Sequence, residues 1–190
     1  MAADTDNAGA PRGNRWRPLI WGTAAALLLL PAVAMQFENT GVNWTAGDFI
    51  AMGLLLTTAC GLYELGAWLS GNTAYRAGFG IAALTAFLTI WVNLAVGMLG
   101  SEDNASNGLF VGVLSVAALG AIVGKLRARG MARAMFAAAL AQLVAVGVAL
   151  PMGFEARELV FTALFALPWL ASAQLFRNAA QRQAPAGATR

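Results

Sequence analysis

Three polar side chains lie alone within long apolar stretches of the sequence: Glu64, Asn93 and Gln142. An ionisable or amide group among apolar residues is costly to bury and is a candidate functional group. Glu64 could relay a proton or a cation, and the two amides could line the path of a solute. The alternative is structural: an ion pair between Glu64 and Arg76 across a short turn, and hydrogen bonds between helices for Asn93 and Gln142.

A second set of candidates consists of oxygen-bearing side chains near polar loops, namely Asp48, Glu102, Asp103 and Asn104. Oxygen ligands of this kind suit a hard cation such as calcium or magnesium. Their spacing matches no EF-hand loop, and helix N-caps with solvated acidic loops explain the same residues. Both hypotheses stay open: weak metal ligands, or caps and loops.

The composition excludes several classes of chemistry. The chain has no histidine and a single cysteine, Cys60, which rules out an intrachain disulfide, His-ligated metals and Ser–His or Cys–His nucleophiles. Paired catalytic carboxylates, phosphate-binding glycine motifs and nucleic-acid motifs are missing from the sequence as well. We therefore expect no enzyme activity, no cofactor and no nucleic-acid partner.

The elements that must position these residues are strongly apolar. Hydrophobic residues make up 59% of the chain and charged residues 11%, against about 25% charged residues in a typical soluble domain. Apolar runs long enough to cross a hydrocarbon core about 30 Å thick recur six times. Because these runs are continuous rather than alternating, they predict an all-α, polytopic membrane protein with six transmembrane helices packed as hairpins.

The predicted organisation is a tail over residues 1–15, a six-helix bundle over 16–177 and a second tail over 178–190. Both tails are predicted to be flexible and cytoplasmic. The first apolar run also fits a secretory signal that ends at a small-residue cleavage site, 32–34. We favour a retained first helix, since retention gives the more consistent topology.

Charge is distributed unevenly between the predicted loops. With six spans, every lysine and arginine except Arg157 belongs to one side, and the acidic loops belong to the other. The positive-inside rule then predicts that both termini face the cytoplasm, with the lipid bilayer as the main partner. Four basic residues near the start of the fifth span also favour contact with anionic lipid headgroups: Lys125, Arg127, Arg129 and Arg133.

Small residues recur along the predicted helices. Gly112, Gly120 and Gly124 lie on the fourth helix, and similar stripes occur on the second, third and fifth. Since lipid provides no hydrophobic drive between helices, close contact of small residues must hold them together. These stripes predict that helices two to five pack closely.

Five segments between residues 44 and 142 resemble those of a group of small bacterial inner-membrane proteins. They are Trp44-x-x-x-Asp48-Phe49, Tyr63-Glu64-Leu65, Gly71-Asn72-Thr73-Ala74-Tyr75-Arg76, Trp91-x-Asn93-x-Ala95-Val96-Gly97 and Gly100-Ser101-Glu102-Asp103-Asn104. The resemblance implies bacterial origin and a membrane location. The group has no established activity, so it implies no catalytic or binding residue.

Three functions are compatible with the sequence. The first is a non-enzymatic inner-membrane protein that is an accessory or assembly partner of a larger membrane complex, with another membrane protein or a second copy of the chain as its partner. The second is a small transporter or channel that uses Glu64, Asn93 and Gln142. The third is a membrane sensor that binds a cation at the outer acidic loop.

Overall fold

The computed structural model describes residues 16–182, and every regular element in that range is a helix. The predicted tail over 1–15 and the end of the second tail, 183–190, lie outside the described residues. The seven α-helices are α1 (Arg17–Ala34), α2 (Ala46–Leu69), α3 (Thr73–Ala95), α4 (Leu109–Val123), α5 (Ala128–Ala149), α6 (Ala156–Leu164) and α7 (Ala166–Arg182). Two short 3-10 helices, Ala105–Gly108 and Leu150–Met152, precede α4 and follow α5.

These helices provide six segments long and apolar enough to cross a membrane, as the sequence predicts. The segments are Arg17–Ala34, Ala46–Leu69, Thr73–Ala95, Ala105–Val123, Ala128–Met152 and Ala156–Arg182. The last one is helical to Arg182 and so extends past the predicted boundary at residue 177. The structure is therefore all-helical over the described range, with the composition of a multi-pass membrane protein.

The sixth segment is interrupted, which the sequence analysis did not foresee. α6 ends at Leu164 and α7 begins at Ala166, with Phe165 between them. Pro168 explains the position of the break, because a proline has no N–H to donate to the carbonyl four residues earlier, at Leu164. The Phe165 N–H instead bonds to the Thr162 carbonyl at 3.2 Å, in a tighter turn.

The main helix contacts follow the order α1, α2, α3, α7, α5 and α4. The largest buried cluster lies among α3, α4, α5 and α7, and includes Phe79, Phe110, Met135, Trp169 and Phe176. A smaller cluster, built on Ala24, Met52, Leu56 and Cys60, joins α1 to α2. Contrary to the prediction, helices two to five do not form one compact unit. α3 packs mainly on α2 and α7, and α4 packs mainly on α5.

Glycines permit the closest of these contacts. Gly120 of α4 faces Ala134 of α5, and Gly124, directly after α4, faces Gly130 of α5, where an added Cβ would lie 2.5 Å from the Gly124 Cα. Gly66 of α2 is covered by Phe79 of α3, whose Cγ would lie 2.5 Å from an added Cβ. The predicted role of Gly120 and Gly124 is confirmed, whereas an added Cβ at Gly112 would meet nothing within 4 Å.

The crossing of α4 and α5 gives a test of this packing. We expect Gly130→Ala to lower the free energy of unfolding by about 1–3 kcal/mol, because the added methyl group meets backbone atoms that cannot move aside. Gly147→Ala on the same helix is the matched control, since its added Cβ meets nothing within 4 Å. Unfolding of the purified protein in detergent measures both. Equal stability of the two variants would contradict the close contact.

Candidate functional site

Glu64 is the acceptor of a polar contact between α1 and α2. Its Oε1 atom lies 2.9 Å from Nε of Arg17 and accepts a hydrogen bond of 2.6 Å from Nε1 of Trp21. Arg17 and Trp21 are four residues apart on α1 and therefore share one helix face. The side chain of Glu64 is 28% exposed and that of Arg17 is 66% exposed, so the contact lies at the edge of the bundle. We call these three residues the Glu64 clamp.

The ion pair described for Glu64 therefore joins α2 to α1, whereas the sequence analysis predicted a pair with Arg76 at the start of α3. α1 packs on α2, and the contacts of Arg17 and Trp21 with Glu64 place the start of α1 beside the end of α2. Glu64 is in the last turns of α2, within reach of Arg17. The signal in the sequence was the Arg-Trp-Arg-Pro segment that opens the first span.

Asn93 belongs to a polar stripe on α3 whose bonds lie within the helix. Thr85, Thr89 and Asn93 each donate to the carbonyl four residues earlier, at 2.7, 2.8 and 2.7 Å. The sequence predicted that Asn93 forms a hydrogen bond to another helix. Its amide nitrogen instead bonds within α3. Glu64 and Asn93 lie near opposite ends of the α2–α3 pair, separated along the helix axes by roughly 20–25 Å at 1.5 Å per residue.

Gln142 is fully buried on α5 and does bond to another helix. Its Nε2 donates to the Thr162 carbonyl of α6 at 2.9 Å. The Thr162 hydroxyl in turn donates to the Met98 carbonyl, in the loop after α3, at 3.0 Å. Both side chains are 0% exposed. This buried chain of hydrogen bonds, which we call the Gln142 network, connects α5, α6 and the loop beside the interrupted span.

The loop after α3 is folded by its own asparagine. Oδ1 of Asn107 accepts hydrogen bonds of 3.0 Å from both the Met98 and the Leu99 N–H groups, and its Nδ2 donates to the Ser101 carbonyl at 2.8 Å. Gly100 has a φ of 68°, in the left-handed region, and its N–H donates to Glu158 of α6 at 3.2 Å. The loop is thus held in one conformation and fixed to the sixth span.

The candidate cation ligands do not come together in the structure. Asp48 forms a capping box with Thr45 at the start of α2, and Asn104 accepts a hydrogen bond of 2.9 Å from the Ser106 N–H. Glu102 and Asp103 are exposed. Within residues 16–182, no group of three or more acidic, cysteine or histidine side chains lies close enough to hold a metal ion. The geometry of Asp48 and Asn104 is that of helix caps.

Three buried polar atoms have no hydrogen-bond partner among the described residues: Oδ1 of Asn93, Oε1 of Gln142 and Nε1 of Trp169. Two of them flank the interruption of the sixth span. Gln142 bonds to the last turn of α6, and Trp169, which is 1% exposed, lies in the first turn of α7. A buried polar atom without a partner is unfavourable by about 1–3 kcal/mol. The two such atoms near the break therefore make this region of the core energetically costly.

Two of the grooves on the described part of the bundle are well formed, and neither of these two is lined by Glu64, Asn93 or Gln142. The larger, of about 730 Å³, lies between α5 and α7 and contains three arginines, Arg129, Arg133 and Arg177. The smaller, of about 350 Å³, is almost wholly apolar and lies among α1, α2 and α3. The larger groove could not be predicted from the sequence, because Arg177 is distant in sequence from the other two arginines.

Comparison of the chain with protein-family models, with curated proteins and with solved structures finds no match in any of the three. Its function must therefore be argued from the geometry described above.

The Gln142 network gives a second test. Thr162→Val keeps the shape of the side chain but leaves the Met98 carbonyl without its hydroxyl donor, and we expect unfolding to become easier by about 1–3 kcal/mol. Thr58→Val is the control, because the Thr58 hydroxyl is exposed and bonds only to the Leu54 carbonyl of its own helix. Thr162→Ser keeps the hydroxyl group and should therefore lower the stability less than Thr162→Val does. Equal effects of Thr162→Val and Thr58→Val would show that the network adds no stability.

Proposed function

We propose that this protein is a non-enzymatic, multi-pass protein of the bacterial inner membrane that is an accessory or assembly partner of a larger membrane complex. Its six candidate spans support a membrane location. The choice of the bacterial inner membrane rests on the resemblance inferred from five sequence segments between residues 44 and 142. Residues 16–182 form helical spans and the connections between them, so a partner that binds this range contacts helices or loops.

The proposed topology places both termini in the cytoplasm. Six traversals put the N-terminal segment, the 70–72 turn, the 124–127 loop and the C-terminal segment on the same side. These segments and the adjoining helix ends hold every lysine and arginine except Arg157, and the opposite loops hold six of the acidic residues. This distribution is the pattern that the positive-inside rule describes.

An unoccupied face of α4 is the observation that favours an assembly role. α4 lies at one end of the helix order and packs mainly on α5, through Phe110, Val113 and Ala117. Its other face exposes Gly112, Ser115 and Leu119, and an added Cβ at Gly108 or Gly112 would meet nothing within 4 Å. Glycines four residues apart let a second helix approach closely in lipid. The proposed partner contact is therefore a helix that packs on Gly108 and Gly112.

This proposal predicts that Gly112→Leu disrupts a complex without unfolding the bundle. The protein is purified in a mild detergent and the mass of the assembly is measured. We expect the native chain to run as a complex with a stoichiometric partner, and Gly112→Leu to run as the free chain with unchanged thermal stability. Gly147→Leu is the matched control, an exposed glycine of α5 with open space around it. The mass distinguishes a second copy of this chain from a different protein.

Two outcomes would overturn the assembly role at this face. In one, the native protein has the mass of a single chain under conditions that preserve known membrane complexes. In the other, Gly112→Leu and Gly147→Leu leave the complex equally intact.

Transport is the second candidate, and the interrupted sixth span favours it. Interrupted helices near buried polar groups form the substrate sites of many transporters. Here Oε1 of Gln142 and Nε1 of Trp169 flank the break without a partner among residues 16–182. Glu64 and Asn93 lie near opposite ends of their helix pair, so a path that uses all three predicted residues would have to run most of the length of the bundle.

Trp169→Phe separates the two functions. The substitution removes the unpartnered N–H group but also part of the volume of a side chain that is 1% exposed, so a purely structural Trp169 predicts lower stability, from the cavity left behind, with unchanged flux per folded protein. If a solute passes this residue, flux into liposomes per folded protein should fall several-fold. No flux from the native protein for cations, anions and small neutral solutes would exclude transport. Trp68→Phe, at an 80% exposed position, controls for loss of a tryptophan.

A further inference from the structure

The groove between α5 and α7 carries positive charge at one end. Arg129 and Arg133 lie in the first turns of α5, and Arg177 lies near the end of α7. All three are exposed, and none forms an ion pair or hydrogen bond with another residue of the described range. Neither helix contains an aspartate or glutamate over its whole length. The three guanidinium groups therefore form a basic end of the groove that its own walls do not neutralise.

Apart from Gln174, the remainder of the groove lining is apolar and includes Phe136 of α5 and Leu170 of α7. Beyond the groove, the same helix faces continue with Leu140 on α5 and Leu167 on α7, at the three- and four-residue spacing of one helix stripe. Phe136 is 51% exposed and Leu170 is 37% exposed. From Arg133 to Leu143 the stripe spans roughly 15 Å, which is about half of a hydrocarbon core.

We propose that this groove binds one anionic phospholipid from the leaflet that surrounds it. The phosphate and any further headgroup charge lie against Arg129, Arg133 and Arg177, and an acyl chain lies along Phe136, Leu140, Leu167 and Leu170. Arginine presents a planar fork of N–H donors that matches a phosphate group. The combination of a charged end with an apolar wall one leaflet deep fits a lipid, whereas a free phosphate compound would contact only the charged end.

The volume and lining of the groove support this occupant. The cavity measures about 730 Å³, and its walls between the arginines and the phenylalanine consist largely of alanines, including Ala132, Ala171 and Ala173. Alanines leave room between the helices for a chain that larger side chains would exclude. Gln174, which is exposed beside Arg177, donates one amide hydrogen to Oδ1 of Asn178 at 3.1 Å, and the second hydrogen of that amide is an uncharged donor for the headgroup.

Native mass spectrometry of the full chain in detergent tests the proposal. Phosphatidylglycerol and phosphatidylcholine with identical acyl chains are added in turn, and retained lipid is measured. We expect phosphatidylglycerol to be retained in preference to phosphatidylcholine. The triple variant R129Q/R133Q/R177Q should lose this preference, and Arg133→Gln alone should weaken retention about fivefold, the effect of roughly 1 kcal/mol per basic residue near an anionic lipid.

A second triple variant is the matched control. Lys125→Gln, Arg127→Gln and Arg182→Gln together remove the same charge from the same end of the bundle, at positions that do not line the groove. This variant should retain phosphatidylglycerol as the native chain does. If both triple variants lost phosphatidylglycerol equally, the groove would not be the binding site, and only the total charge of the protein would matter. Equal retention of phosphatidylglycerol and phosphatidylcholine by the native chain would show that the groove does not select an anionic lipid.

Two further arms complete the test. Glycerol 1-phosphate alone, added at the same concentration, should not protect the protein from thermal unfolding, and protection equal to that by phosphatidylglycerol would overturn the lipid in favour of a free phosphate compound. Leu170→Trp fills the apolar part and keeps the arginines, so it should reduce lipid retention as well. Unchanged retention in Leu170→Trp would overturn the placement of an acyl chain in the groove.

Discussion

Lipid offers no hydrogen-bond partner to a free backbone group, and the interrupted sixth span is where this constraint is most demanding. The break between α6 and α7 and the loop that crosses beside it both expose carbonyl groups inside the bundle. Gln142 gives the Thr162 carbonyl a second hydrogen bond beside that from the Phe165 N–H, and the Thr162 hydroxyl donates to the Met98 carbonyl. Asn107 satisfies two N–H groups of the same loop. Much of the buried polarity of this protein therefore serves the backbone.

α1 depends on a different interaction from the rest of the bundle. It packs mainly on α2 through a small cluster, and only 11% of its residues are buried. Apolar contact in lipid supplies little drive for association, because lipid tails are as apolar as the helix surface. The Glu64 clamp adds a charge-assisted hydrogen bond at the point where packing is sparse. Glu64 thus has a structural use that its position within a span does not reveal.

The class of fold could be predicted from the sequence because six long apolar runs leave few alternatives in lipid. The order in which the helices pack could not be predicted, because apolar helices present similar surfaces in all directions. Only close contacts, such as that of Gly66 with Phe79, identify neighbouring helices. The contact between Glu64 and Arg17 could not be predicted for a related reason. Arg76 is nearer in sequence, whereas the antiparallel packing of α1 on α2 brings Arg17 within 2.9 Å. Pro168 was the available signal for the interruption of the last span.

The basic residues at one end of the bundle satisfy two separate constraints. Membrane topology requires only that enough lysines and arginines lie near one set of helix ends, and Lys125 or Arg127 meets that requirement as well as any other position. Topology does not explain why Arg129, Arg133 and Arg177 share one groove, on two helices without a single acidic residue. Their position on the stripe that continues into Phe136 and Leu170 is an additional feature of the fold. In the proposed topology this position puts positive charge at the polar boundary of the membrane, next to the apolar wall of the groove, which is the arrangement that the proposed phospholipid requires.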